Sequence, residues 1–504
     1  MSAAHQPAIA AGAERNTTAL ILAGGGMRVA YQAGAVKALF EEGLRFSYAD
    51  GASGGTINLA ALLSGVTPDD LCARWRALPV KQFAAARPAA DYLHFARLSA
   101  LGSADGLVRH VYPALGIDVD RVRAAAGIDA SFNVCRFDDK TVVALPHTEL
   151  DRERLVAAVS LPIFMPAVKA AGSTWTDAVW IKDANLLSCV RRGANTLWLV
   201  WCIGNTPTYR DGAFDQYVHM IEMSAIGALN EELATIAEIN ERIGRGETVW
   251  GHREPIVVHI VKPDVPLPLD PDFYFGRIDA ATLIDMGYRD ARRALAAAPS
   301  PLDPSATAMR EPADGVTFRE AMAGGFTLGA TDPETGAAGP GVLTMHATID
   351  IENIDAFIAD EKHLGGLTGH IDFAPLGEAI PSESGVFGLF TPSGDPALTY
   401  MVYELGFRYH GKSYYLAGKK HVHIGPPWKL WRETTTLYTT LHEGIDASGA
   451  IVGAGVLTLG VASLFRLLAT LHATHTKHPV RTVWRFFKFF ASELFRTYVL
   501  RKPR

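Results

Sequence analysis

Residues 20–58 read LILAGGGMRVAYQAGAVKALFEEGLRFSYADGASGGTIN and contain two glycine-rich turns. Each sits where an apolar strand pattern runs into a helical one. The first, Gly24-Gly25-Gly26-Met27-Arg28, follows the apolar run from Ala19 to Ala23. The second, Gly51-Ala52-Ser53-Gly54-Gly55, is a G-x-S-x-G between a strand pattern at 46–50 and a helix pattern at 56–63. A serine flanked by small residues can occupy a tight strand–turn–helix bend with its hydroxyl at the end of a sheet. The helix that follows turns free N–H groups towards developing negative charge. Strand–helix alternation at 18–23, 28–42, 46–50 and 56–65 predicts an α/β fold with a parallel sheet under helices.

A glycine turn after a strand also suggests dinucleotide binding, which requires G-x-G-x-x-G and an acidic residue about 20 positions on. Gly24 and Gly26 fit, but the third position is Val29, and the serine turn occupies the place of the acid. That reading fails on both counts.

GGGMR followed by GASGG resembles the patatin-like phospholipases, whose pattern is G-G-G-x-R/K, then G-x-S-x-G, then an Asp-Gly or Asp-Ala pair. The resemblance spans about residues 18–300. It implies a patatin-like three-layer α/β/α hydrolase core and a Ser–Asp dyad in place of a Ser–His–Asp triad. Ser53 would be the nucleophile on an elbow closed by Gly51 and Gly55. Gly24, Gly25 and Gly26, helped by Arg28, would form the oxyanion hole. Preorganised N–H donors of this kind contribute about 3–4 kcal/mol each to acyl transfer.

Two aspartates compete for the second place, Asp177 in Trp175-Thr176-Asp177-Ala178 and Asp183 in Lys182-Asp183-Ala184-Asn185. Both are Asp-Ala pairs. Spacing from the Leu161-Pro162-Ile163-Phe164-Met165-Pro166 segment, and an aromatic residue two positions earlier, favour Asp177. Asp183 is then expected to be a turn or helix-capping residue. The prolines at 162 and 166 exclude a helix there. His147, His219, His252 and His259 have no flanking residues that would mark a triad base and are read as surface or core histidines.

Four cysteines (Cys72, Cys135, Cys189, Cys202) show no C-x-x-C or metal spacing and are read as buried free thiols; neither a metal nor an organic cofactor is expected. A net charge of −6 gives no case for nucleic acid. The N-terminal MSAAHQPAIAAGAERNTT lacks the continuous apolar core of a secretory signal, so a cytoplasmic protein, peripheral on membranes, is expected.

At 504 residues the chain exceeds one ordinary core. We expect a flexible tail at 1–17, the hydrolase domain at 18–300 and a Pro/Ala/Ser-rich linker at 301–316. A separate, mostly antiparallel β domain, barrel or sandwich, then follows at 317–476, and a basic amphipathic helix at 477–504. Residues 93–101, rich in Ala, Leu and aromatics, are read as helix packing or as the lining of a lipid cleft. Seven alternating runs between 341 and 459 carry the β prediction. This block faintly resembles an accessory β domain of bacterial enzymes acting on sterol-like lipids. The apolar run 449–465 is short for a membrane span and is read as strand, turn and helix.

Residues 477–504 hold eight Lys/Arg and one acid, Glu493. Val483, Phe486, Phe487, Phe490 and Leu494 fall on one helical face, with Arg481, Arg485 and Lys488 on another. Such a helix suits an anionic membrane surface, or packs on the β domain with its charges solvated. The functional expectation is a serine acyl hydrolase acting on phospholipid or acylglycerol esters. The alternative is a catalytically weak lipid-binding or membrane-tethering protein on the same core, for which Asp177-Ala178-Val179 in place of Asp-Gly-Gly is the sequence argument.

Overall fold

A computed structural model describes residues 17–79, 85–86 and 100–502 of the chain. The expected tail up to residue 16 and most of the 93–101 stretch lie outside the described residues. The chain forms two compact units, Met1–Glu311 and Pro312–Arg504.

The first unit is built on an eight-stranded mixed sheet. Its parallel centre comprises β1 (Thr18–Leu22), β2 (Tyr48–Ala52), β3 (Asp129–Arg136), β7 (Thr196–Val200) and β8 (Val257–Val261), in the order β8-β7-β1-β2-β3. β4 (Thr141–Pro146), β5 (Val168–Ala170) and β6 (Ser173–Thr176) extend it antiparallel beyond β3. Alternate β1 residues face opposite layers: Leu20 and Leu22 enter one apolar cluster, Ala19 and Ile21 another. A continuously apolar strand is the signature of a sheet covered on both sides.

Helices α1 (Ala30–Glu41), α2 (Gly55–Leu63), α3 (Pro68–Ala77) and α7 (Ala280–Ala296) cover the first face. α4 (Leu186–Arg192) and α5 (Ala213–Gly244) cover the second. The three-layer α/β/α core is therefore present. α1 and α7 cross at Gly34 and Gly287, where an added Cβ would lie 1.9 Å from the carbonyl oxygens of Ile284 and Tyr31 respectively. Only glycine permits backbones to approach so closely.

Residues 301–310, expected as linker, belong instead to this first unit. Ala306, Thr307 and Met309 are buried, and the amides of Met309 and Arg310 donate to Asn205 and Asp264 carbonyls. The Pro/Ala/Ser composition marks an irregular segment, but its few apolar side chains anchor it to the second apolar layer.

The second unit is a closed eight-stranded antiparallel barrel. Its strands are β9 (Gly315–Leu328), β10 (Val342–Ile351), β11 (Leu364–Phe373), β12 (Gly377–Pro392), β13 (Leu398–Tyr409), β14 (Lys412–His423), β15 (Thr436–Glu443) and β16 (Ile451–Thr458). Neighbours pair in sequence order, and β9 closes the ring by pairing with both β10 and β16. The sequence reading missed β9, whose Gly324-Gly325 interrupts the alternation and whose start falls in the expected linker. β9 meets β16 only from Ala323 onward. Its earlier half is covered by β17 (His472–Thr474) and by α8 (Val461–Thr470), where Thr470 Oγ1 accepts from the Arg319 amide at 3.0 Å.

α9 (Pro479–Phe495) then lays Phe486 and the partly buried Phe489, Phe490 and Leu494 onto the barrel core. The helix is amphipathic as expected, but the stripe centred on Phe486 meets protein. Phe487, assigned to that stripe, points outward and is 37% exposed. Run 449–465 is strand, turn and helix as expected, and among the described residues no helix is long and apolar enough to cross a membrane.

Inside the barrel Lys420 and Glu320 are 2% and 3% exposed. Lys420 Nζ donates to the Tyr403 hydroxyl at 3.1 Å and lies 3.9 Å from a Glu320 oxygen. Among the described residues the other Glu320 oxygen has no hydrogen-bond partner.

Candidate active site

Both glycine turns sit at the same end of adjacent parallel strands, because β1 and β2 pair in register from Ala19–Tyr48 to Leu22–Gly51. Ser53 follows β2 at φ 47°, a left-handed backbone that a non-glycine residue adopts under strain. The bend is possible because its flanks are bare. A Cβ on Gly55 would meet the Leu22 carbonyl oxygen at 2.1 Å, and one on Gly54 the Gly26 carbonyl oxygen at 2.8 Å.

Ser53 Oγ donates to Asp177 Oδ2 at 2.7 Å. Asp177 follows β6 and is 1% exposed. Burial raises its pKa to about 7, against the opposing pull of hydrogen bonds from Ser53 and the amides of Val179 and Ala178. The Val179 amide reaches Asp177 Oδ1 at 2.9 Å. The Ala-Val pair that replaces two glycines therefore still supplies a backbone donor to the carboxylate.

Of the two roles expected for Asp183, turn and helix cap, the structure contradicts the second. The residue caps no helix: α4 begins after Asn185, without a side-chain cap. Asp183 is wholly buried, and its Oδ2 accepts the Gly24 amide at 3.0 Å. Among the described residues its Oδ1 has no hydrogen-bond partner; it lies 2.2 Å from where a Gly24 Cβ would stand, while Ser53 Cβ lies 2.8 Å from that same point. Burial, and then the neighbouring Asp177, push its pKa well above the usual carboxylate range.

On the other side of the turn, Asp270, first residue of α6 (Asp270–Tyr274), accepts the Met27 amide at 3.1 Å. The outer amides of the turn, Gly24 and Met27, are thus committed to carboxyl groups. No hydrogen-bond partner is found for the central pair, Gly25 and Gly26, among the described residues. Gly24 is accordingly removed from the expected set of oxyanion donors. Arg28 Nε donates back to the Gly25 carbonyl at 2.9 Å, so this arginine also braces the loop. Gly26 holds φ 58° with Asp270 Oδ2 only 2.4 Å from a Cβ placed there, so two constraints demand glycine.

A buried polar network supports the turns from beneath. Gln32 donates to the Ala23 carbonyl, Asn58 to the Val29 carbonyl and to Gln32, and Trp75 to Asn58. Under the elbow, Asp50 accepts from Ser131 and Asn133, and Asn185 donates to Asn133. Burial raises the Asp50 pKa to about 7. None of these residues is visible as functional in the sequence, since an isolated Gln or Asn carries no motif.

None of the four histidines bonds to Ser53. His147 and His252 contact backbone carbonyls, His219 contacts Glu222, and His259 stacks on Trp198. All four cysteines are free and buried. Near the Ser53–Asp177 pair, Trp180 and Phe164 pack edge-on against Tyr217, with ring centroids 5.6 and 5.5 Å away. The adjacent Ile163 holds φ 78° and is 57% exposed. A β-branched residue in that region is strained, and it presents apolar surface to solvent.

Residues 20–188 match the family model described as patatin-like phospholipase, and this part of the chain is a patatin-like phospholipase domain. The family places this domain in the general class of lipid acyl hydrolases. Among solved structures, VipD from Legionella pneumophila aligns with TM-score 0.31 and 11% identity, over 58% of this chain and 68% of that one, a likeness too distant to bear on mechanism. No curated protein matches the sequence.

Proposed function

We propose that the first unit cleaves carboxylic ester bonds of phospholipids or acylglycerols through an acyl-Ser53 intermediate. The observation that carries this reading is the 2.7 Å hydrogen bond from Ser53 Oγ to the buried Asp177. As Oγ bonds to the carbonyl carbon, its proton passes to Asp177 Oδ2 and the π electrons move onto the carbonyl oxygen. The amides of Gly25 and Gly26 stand ready for that oxyanion, with their loop held by Asp183, Asp270 and Arg28. Collapse of the tetrahedral adduct breaks the bond to the leaving alkoxide, which takes the proton from Asp177. Water then attacks the acyl group, giving its proton to Asp177, which returns it to Ser53 as the fatty acid leaves. The apolar surface at Ile163, Phe164 and Trp180 suits an acyl chain.

No cofactor enters this scheme. The protein would meet its substrate as a peripheral membrane protein, with residues 477–504 as the contact. Fatty-acid release from mixed phospholipid and acylglycerol vesicles tests the reading, together with phosphonate labelling of Ser53. Release by wild type, lost in Ser53→Ala and Asp177→Asn, is expected. No release and no labelling would leave lipid binding without catalysis.

A further inference from the structure

Helix α9 has two apolar stripes, and the barrel uses only one. Phe486, with Phe489 and Phe490, turns inward, and Tyr498 just beyond the helix is also buried. About 160° round the helix stand Val480, Trp484 and Phe495, exposed by 83%, 66% and 52%. α8, which packs on the same strand β9, repeats the arrangement. Leu464 and Leu467 turn inward, while Val461, Phe465 and Leu468 are 59%, 67% and 46% exposed. Rows of exposed apolar side chains on two helices that pack on one strand mark an interaction face.

The charges flanking these stripes identify the occupant. Between residues 460 and 502 there are eight Lys/Arg and one acid, Glu493, in a chain whose net charge is −6. Glu493 is held by Arg496, and Arg485 by Asp355. Arg466, Arg481 and Lys488 have no ion-pair partner among the described residues. On α9, Arg481 and Lys488 border Trp484 and Phe495. Apolar side chains at the centre with unpaired cations at the edge match the interface of an anionic bilayer, where rings sit at headgroup depth and cations meet phosphate.

We propose that the second unit docks on anionic membranes through the outward stripes of α8 and α9. The expected face centred on Phe486 does not take part. This deepens the lipid reading above by naming where the bilayer is met, but it does not depend on catalysis.

The test uses the full chain carrying Ser53→Ala, so that vesicles stay intact. Flotation with phosphatidylcholine vesicles is compared with phosphatidylcholine–phosphatidylglycerol vesicles, with and without added salt. Binding is expected on the anionic vesicles, weakened by salt, and reduced about tenfold or more in Trp484→Ser/Phe495→Ser. A Phe465→Ser variant, on the other helix, should also bind less tightly, and melting curves establish that each variant is folded. Absence of binding by the Ser53→Ala chain overturns the proposal. So does full binding by the folded double variant. Self-association that the double variant abolishes, with no vesicle binding, assigns the face to a second copy and also overturns it.

Discussion

The Gly24 amide donates to Asp183 Oδ2 at 3.0 Å, joining the first turn of the site to a carboxyl group far along the chain. With Asp270 holding Met27, this bond fixes which two amides of the turn remain open. If so, Asp183→Ala should lower turnover by about 10–100-fold, because losing aligned oxyanion donors costs up to about 3–4 kcal/mol. Asp183→Asn keeps an acceptor of the same shape for Gly24, and burial already disfavours the charged form of the native carboxyl. It should retain most activity. Steady-state kinetics on one ester, with kcat and KM separated, checks the pair.

Asp177→Asn should remove turnover by about a thousandfold or more while the fold persists, since the proton from Ser53 then has no acceptor. Near-wild-type ester hydrolysis by a folded Asp177→Asn protein would sink the dyad.

The pH profile follows from the Asp177 pKa of about 7. The base works only when ionised, so kcat/KM should rise about tenfold per pH unit below that value and level off above it. The same shift works against stability. The folded-state pKa lies above the unfolded value of about 4, so the buried carboxyl favours folding below pH 4 and loses that contribution as pH rises through about 7. Melting temperatures across this range should be less favourable at the alkaline end in wild type than in Asp177→Asn.

Gly34→Ala should destabilise the first unit by about 2 kcal/mol or more, because its methyl group would stand 1.9 Å from the Ile284 carbonyl oxygen. α1 and α7 cannot separate without disturbing the layer that carries the glycine turn. Denaturant unfolding monitored alongside activity measures both effects.

In the barrel, Lys420→Met strands the buried Glu320 charge and should cost about 3–5 kcal/mol. The Lys420→Met/Glu320→Met double variant should recover most of that loss, since two apolar chains of similar size replace the ion pair. Barrel unfolding midpoints for the single and double variants decide whether the two residues act as a pair.

Much of the site was legible because glycine and serine in fixed order leave few physical alternatives. Two glycine turns at the ends of adjacent apolar strands already imply a parallel sheet with both loops at one edge. Asp177 could be chosen by spacing, since the strand before it and the prolines ahead limit where it can fall. Asp183 could not be read, because its function is a contact with Gly24 made only when β1 and the segment after β6 converge. The same holds for Asp270, Asn133 and Gln32, whose partners lie far along the chain or carry no motif.

In the second half, strand alternation established a β domain. Neither the closure of the barrel by β9 nor the packing of residues 301–310 on the first unit is encoded in a local pattern. The tail shows the division most plainly. Its sequence dictates a basic amphipathic helix with apolar residues around most of its circumference. Which stripe faces the barrel depends on Phe318, Phe390 and Phe357, aromatic partners supplied by strands and a short helix more than a hundred residues earlier or nearly so. Helical periodicity is a local property of the chain, whereas the choice of buried face is set by the surface on which the helix lands.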